Sequence, residues 1–353
     1  MGKKYVLKVV RRNMTTRDHF KWGDVGDITV APDWDPNPKC GGGLHGWLSG
    51  VGDLRCQNIS DSDGARWLVI EVEGEVVSLG GKVKFERGKT VFAGDMREAA
   101  AVVANLSGEQ GSVIGIIRSG GDRSTVLGGC HSTLTGGNYS AVSGGDHSIV
   151  TGGDLSIVTG REHSKVSGGD QSTVSGGYHS IVTGGDQSTV SGGDHSIVTG
   201  GDCSTVTGGN YSTVSVGNHS IVTGMDRSIV NGGNYSTVRG GAGSTVTGWA
   251  GSTLTGGDGS TLMGGVGSTV TGGNYSTVTG GNYSTVTGGN HSTVTGGEFS
   301  TVKGDNWSVL QLLYWDGRKR LVIAYVGEDG IKPNTPYRLN NDHQFEEVVT
   351  SEK

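Results

Sequence analysis

The chain has 353 residues, a formal net charge of −6 and only 6% aromatic residues. Its 68 glycines are accompanied by just five prolines, which argues against a collagen-like or disordered chain. No 19-residue apolar window is present, so no membrane-spanning helix is expected.

The start, MGKKYVLKVVRRN, is basic but has no sustained apolar region or small-residue cleavage site, so a secretory signal peptide is not expected. The location is left open between cell surface and cytoplasm. Residues 1–106 read as a small α+β domain. YVLKVV and WLVIEV are predicted strands, EVVSLGGKVKF and KTVFAG supply two or three more, and DMREAAAVVANL is a helix with Asp95 as its N-cap. Between them, PDWDPNPKCGGGLHGWLSG is loop-rich. Cys40, His45 and Cys56, with Asp33 or Asp35, are the one constellation that resembles a metal or catalytic site. It lacks a second CxxC or HxxxH element, and no nucleophile–base pair is legible, so no metal, cofactor or catalytic residue is expected. RGKT, Arg87 to Thr90, resembles the end of a phosphate loop, but Val83 stands where its first Gly is required. With Cys130 and Cys203 the four cysteines form no dense disulfide framework. The PDWDPNP…CGGGLHGW segment is similar to a small uncharacterised domain found in bacterial and phage proteins.

Residues 107–123 are a transition, apolar enough to cover the first coil of a repeat array. From Ser124 to Ser308 a serine recurs every eight residues, twenty-four times. Val or Leu follows two places later, from Val126 to Leu310, and Gly four places later in nearly every octad. Such a period is the signature of a solenoid. Octads alternate between QSTVSGG and HSIVTGG from Gln171 to Gly201, so the true period is sixteen, with two short strands per coil. The expected fold is therefore all-β: a β-solenoid of about twelve 16-residue coils over 124–303, with the N-terminal α+β domain and a C-terminal cap over 304–353. Side chains alternate along a strand, so Ser and Val/Leu share the inner face and the residues between them face water. The Gly-Gly-Asn and Gly-Gly-Asp steps are expected to supply positive-φ corners.

In the later coils both outward positions are Thr. The pairs are Thr245 with Thr247, Thr253 with Thr255, Thr269 with Thr271, Thr277 with Thr279, Thr285 with Thr287, and Thr293 with Thr295. Paired threonines about 6.7 Å apart, in rows about 4.8 Å apart, make a grid of hydroxyls and methyls. β-branching restricts their χ1 angles, so little order is lost when the grid organises water. Earlier coils carry Ile149, Ile181 or Ile197 instead. Thr as a soluble strand former is the bland rival reading. His131, His147, His163, His179 and His195 recur every sixteen residues and are expected as a surface ladder, with metal capture the rival reading. The GGD steps lack the ninth residue and second Asp of calcium-binding nonapeptides, so calcium is not expected. Residues 107–303 hold seven Lys and Arg against 12 Asp and Glu, which excludes a basic nucleic-acid footprint.

After Gly304, SVLQLLYW and KRLVIAYV flank Asp316-Gly317, a hairpin turn signal. This ending, through YWDGRKR and Pro-Tyr-Arg-Leu, resembles the C-terminal segment of bacterial ice-nucleation proteins. GAGSTVTGWAGSTLTGGDGSTLMGG, Gly241 to Gly265, is similar to that family's octads. The resemblance covers about two thirds of the chain and not the N-terminal domain. It implies a water-organising solenoid with Thr-x-Thr rows as the ice-templating surface, and self-association into larger assemblies. With fewer coils, and Arg only at scattered corners such as Arg123 and Arg227, weak nucleation or ice binding is expected rather than strong nucleation. The alternative is a structural spacer of bacterial or phage origin that displays the N-terminal domain.

Overall fold

The computed structural model describes residues 2–16, 19–54 and 64–349. The chain forms two compact units, Met1–Gly152 with Thr159–Lys165 and Gly153–Val158 with Val166–Lys353.

The first unit begins with β1 (Lys4–Val10), β2 (Ile28–Val30), β3 (Leu44–Leu48), β4 (Arg66–Ser78), β5 (Val83–Gly94) and α1 (Met96–Ser107). The strands are antiparallel in the order β2-β5-β3-β1-β4, and β5 also pairs with β4. Val6, Val10, Leu44, Leu68, Ile70 and Phe85 pack around Trp22 inside. EVVSLGGKVKF does not make strands of its own: it ends β4 and begins β5. β3 lies in the stretch expected to be loop. Its glycine is needed for close strand packing, since a Cβ on Gly46 would run into Val6 Cγ1 and stand 2.6 Å from the Leu7 carbonyl oxygen. Asp95 caps α1 in a reciprocal capping box with Glu98, and Gly108 closes the helix at φ 64°. Ala99, Ala100 and Val103 are its buried face.

The coils begin before the first framed serine, with β6 (Ile117–Ser119). Val113 bridges to Val51, and the Ile114 N–H donates to the Gly50 carbonyl at 3.0 Å, which ties the sheet domain to the first coil. Arg118 occupies the place that Val or Leu fills in later octads. Its guanidinium donates to the carbonyls of Glu109, Gln110, Gly111 and Leu127 at 2.5–2.8 Å. One side chain thus satisfies four backbone acceptors at the end of the stack, where no further coil bonds them.

From β6 to β29 (Thr301–Lys303), each octad contributes one strand of three or four residues. Residues sixteen apart pair in parallel and in register, for example Thr189 with Thr205 and Val190 with Val206. Consecutive octads belong to different sheets. The array is a β-solenoid of about twelve 16-residue coils. From Ser132 to Ser308 the serines are at most 2% exposed, and from Val126 to Leu310 the Val/Leu column at most 4%, so both columns are interior.

Most of the buried serines bridge two coils. The Ser188 N–H donates to the Ser204 hydroxyl at 3.1 Å, and that hydroxyl donates to the Gly185 carbonyl at 3.2 Å. Asp and Asn two places before serine bond along the stack as well: the Asp186 and Asp202 N–H groups donate to the carboxylates of Asp170 and Asp186, both at 2.8 Å.

The corner conformation differs from expectation. The glycine pairs do not hold positive φ; the residue directly before each serine does, at 53–59° for side chains from Arg123 to Trp307. Only Gly243, Gly251, Gly259 and Gly267 use glycine there. The paired glycines answer to packing instead. A Cβ on Gly184 would lie 2.5 Å from Val190 Cγ2, and one on Gly185 2.8 Å from the Asp170 nitrogen of the preceding coil.

β30 (Val309–Trp315) and β31 (Lys319–Tyr325) form the expected hairpin around Gly317. β32 (Pro336–Leu339) and β33 (Phe345–Glu347) form a second one, with β32 antiparallel to β29 through Val302 and Tyr337. Leu312, Val326 and Tyr337 close the interior.

These contacts set the expected outcome of four substitutions. Arg118→Met keeps the bulk but strands carbonyls that held a charged donor, at a cost of about 1.5–3 kcal/mol; hydrogen exchange should show faster opening of residues 109–135 and unchanged protection of β1 and β4. In the second unit, Ser204→Ala should cost about 1–3 kcal/mol by leaving two buried backbone groups unpaired. Gly184→Ala should cost a similar amount by overpacking, whereas Thr205→Ala on the outer face should shift the thermal unfolding curve least.

Candidate functional site

The twelve expected threonines face outward but do not lie together. Because a coil has two strands, the set divides between two sheets. Thr253/Thr255, Thr269/Thr271 and Thr285/Thr287 occupy consecutive, in-register strands of one sheet. The rows of Thr245, Thr277 and Thr293 belong to the other sheet, where Thr261-Leu262-Met263 interrupts them. Met263 pairs with Thr247 on one side and with Thr279 on the other, and it is 56% exposed. An apolar side chain therefore separates Thr247 from Thr279 and breaks the second column of that surface. Thr247, Thr279, Thr293 and Thr295 are also only half-buried rather than fully open to water, while Thr245 and Thr277 are exposed. Thr295 is further engaged, donating to Gln311 Oε1 at 3.0 Å. The single expected grid is therefore two faces, of which one is continuous, and Thr245, Thr247, Thr277, Thr279, Thr293 and Thr295 fall outside it.

The continuous face has three complete Thr-x-Thr rows. Thr253, Thr255, Thr269, Thr271 and Thr285 are exposed and Thr287 is half-buried. Its first column runs further, through Thr237 and Thr301. The second column stops at a charge on each side: Arg239 pairs with Thr255, and Lys303 with Thr287. Parallel in-register pairing fixes each row to its neighbours, so the spacing is set by backbone rather than by flexible side chains. Sequence reading by octads missed Thr237, Thr301 and the two bordering cations. They escape a search for Thr-x-Thr pairs because Arg239 and Lys303 replace the second threonine of each row.

Rings at the corners stack along the coils. In the first unit His131, His147 and His163 lie 5.0 and 4.8 Å apart. In the second, His179 and His195 continue to Tyr211 at 5.0 Å steps, and Tyr275, His291 and Trp307 stack at 5.0 and 5.1 Å. Arg227 and the corner glycines Gly243 and Gly259 leave a stretch without rings between these ladders. Among the described residues, no three His, Cys, Asp or Glu side chains are placed to hold a metal ion.

Among the described residues, the N-terminal constellation is not assembled into a site. Cys56 lies outside the described residues. Cys40 is exposed, on a loop held by the fully buried Lys84, whose ammonium donates to the Lys39 and Gly41 carbonyls at 2.9 and 3.1 Å. Asp33 accepts from the Gly43 N–H and Asp35 from the Asn37 N–H, so both carboxylates shape turns. His45 has a buried Nε2 with no partner. Burial, reinforced by Lys82, Lys8 and Lys84, pushes its pKa down to about 4, which keeps the ring neutral at pH 7. Arg87 to Thr90 lies within β5, and the Thr90 hydroxyl donates to the Gly23 carbonyl, so this segment is strand rather than phosphate loop.

No curated protein and no solved structure matches the chain. A family profile described as a domain of unknown function (DUF7666) matches residues 4–102, from β1 into α1.

Proposed function

We propose that this protein is a non-catalytic, water-organising β-solenoid that binds ice or templates it weakly, and that the continuous Thr-x-Thr face is the working surface. The observation that carries this reading is the run of Thr253/Thr255, Thr269/Thr271 and Thr285/Thr287 on in-register strands. Hydroxyls at fixed spacing supply donors and acceptors in a lattice, and the methyls beside them limit competing orientations of water. Restricted χ1 angles and a hydrogen-bonded backbone keep the lattice in place before water arrives. Three rows make a small template. Adsorption to existing ice therefore fits the face better than efficient nucleation, which needs a surface comparable to a critical ice nucleus.

A second reading, a spacer that displays the N-terminal domain, draws on one observation: Gly50 and Val51 are fixed to Ile114 and Val113 at the first coil. A rigid mount of this kind suits presentation of a domain. Its mark would be a specific partner for residues 1–106 together with no effect on freezing.

Lysine at Thr253, Thr269 and Thr285 should lower the mean freezing temperature of supercooled droplets toward that of buffer, and should abolish adsorption to a growing ice surface. Equal behaviour of variant and wild type would sink the assignment of this face. Met263→Lys, on the other sheet, should leave both readouts unchanged. Conversely, Arg239→Thr with Lys303→Thr completes the second column and lengthens the face from three rows to five. Ice adsorption by that double variant should exceed wild type.

A further inference from the structure

The second unit also contains a cleft unrelated to the threonine face. It arises because β30 does not turn where an octad would. Leu312, Leu313, Tyr314 and Trp315 hold the places taken elsewhere by two glycines, Asp or Asn, and the corner residue. No glycine stands at either place and the strand runs straight to Trp315 instead of turning. Phe299 therefore has Tyr283 against one face, at 5.1 Å, and is 77% exposed. The tip of the β32–β33 hairpin returns on the other side, where His343 stacks on Tyr314 at 3.8 Å. Between them lies a cleft of about 820 Å³, lined by Glu298, Phe299, Trp315, Arg338, Asn341 and Asp342 among others. That volume falls among small-ligand pockets, about 300–1,000 Å³.

The lining selects a chemical class. Glu298, Asp342 and Glu346 face one Arg338, which already sits 3.7 Å from Glu346, so an anion finds little to hold it. A wholly apolar ligand would bury the carboxylates without partners. A compact ammonium ion is best held by several converging ring faces, but Tyr314 and Phe299 each have one face already covered. A sugar ring satisfies both halves of the lining. Its C–H face packs on an open aromatic ring, and its hydroxyls donate to carboxylates and bond the Asn341 carboxamide. The tip is shaped beforehand, since the Asn340 side chain accepts from the Asp342 and Gln344 N–H groups at 3.0 and 2.9 Å. We propose that this cleft binds a neutral saccharide, independently of any action on ice.

The test is an array of gluco-, manno-, galacto- and chito-oligosaccharides probed with the intact protein, followed by calorimetry on the sugars retained. Trp315→Ala and Asp342→Asn should each weaken binding about tenfold or more, while the circular dichroism spectrum and droplet-freezing behaviour stay as in wild type. Retention of no sugar would overturn the proposal. So would equal affinity in both variants, or preferential binding of a lysine-rich peptide at the cleft.

Discussion

The fold depends on the buried serine hydroxyl. Stacked strands of three residues satisfy their own backbone groups, but the corners between them leave N–H and carbonyl groups inside a thin interior that admits no water. The Ser204 hydroxyl accepts one such N–H from Ser188 and donates to one such carbonyl on Gly185. Alanine would fill the space but leave both groups unpaired, and valine would add bulk against the glycine alongside. A hydroxyl on a single carbon meets both demands, which explains why the frame holds over twenty-four octads. The Val/Leu column beside it supplies the apolar burial. Each coil is stable mainly through its neighbours, as in other solenoids.

Once the serine is fixed, the rest of the octad has little freedom. Where the first glycine stands, the Val side chain lies where its Cβ would go, and at the second the preceding coil's backbone does; Val216, Arg161, Met225 and Trp249 are substitutions at these places that the coil accommodates. The chain still has to turn, and it does so at the residue before serine, in the left-handed region. There the side chain points away from the interior, so Tyr, His, Gln, Leu, Arg and Gly all occur at one backbone geometry. A non-glycine residue in that region costs about 1 kcal/mol. Ring stacking along the corners, at about 5 Å, offsets part of that cost where His or Tyr repeats.

Much of this is legible in the sequence, because period and alternation are local. The sixteen-residue coil, the interior Ser and Val columns, the Asp95 cap and the hairpin at Gly317 each follow from spacing alone. What is not legible depends on close approach between distant segments. Sequence suggests conformational freedom for the corner glycines and a loop around Gly46, yet in both places glycine answers to contact with another strand. The threonine set is legible residue by residue but not as a surface. Octads adjacent in sequence lie on different sheets, so Thr245 and Thr253 are neighbours in the chain and not on a face. Thr247 and Thr279 match the pattern perfectly as residues, and only the pairing at sixteen reveals Met263 between them. Arg118 is hidden because an inward charge at an apolar position makes sense only when the carbonyls it caps are known.

The outward positions are the informative ones, since nothing inside the coil constrains them. In early coils they carry Ala141, Ile149, Ile157 and Lys165 with no loss of register. From Thr237 to Thr301 one column is Thr five times in succession. Recent duplication of identical octads would account for that uniformity only if the neighbouring residues repeated too. They do not: the corner residues of those same five octads are Tyr235, Gly251, Gly267, Tyr283 and Phe299. The residues two before serine vary likewise, from Asn234 through Ala250, Val266 and Asn282 to Glu298. Threonine therefore persists at a position that packing leaves free, while its neighbours change. Strand propensity alone does not select threonine there, since Ile and Val satisfy it equally well.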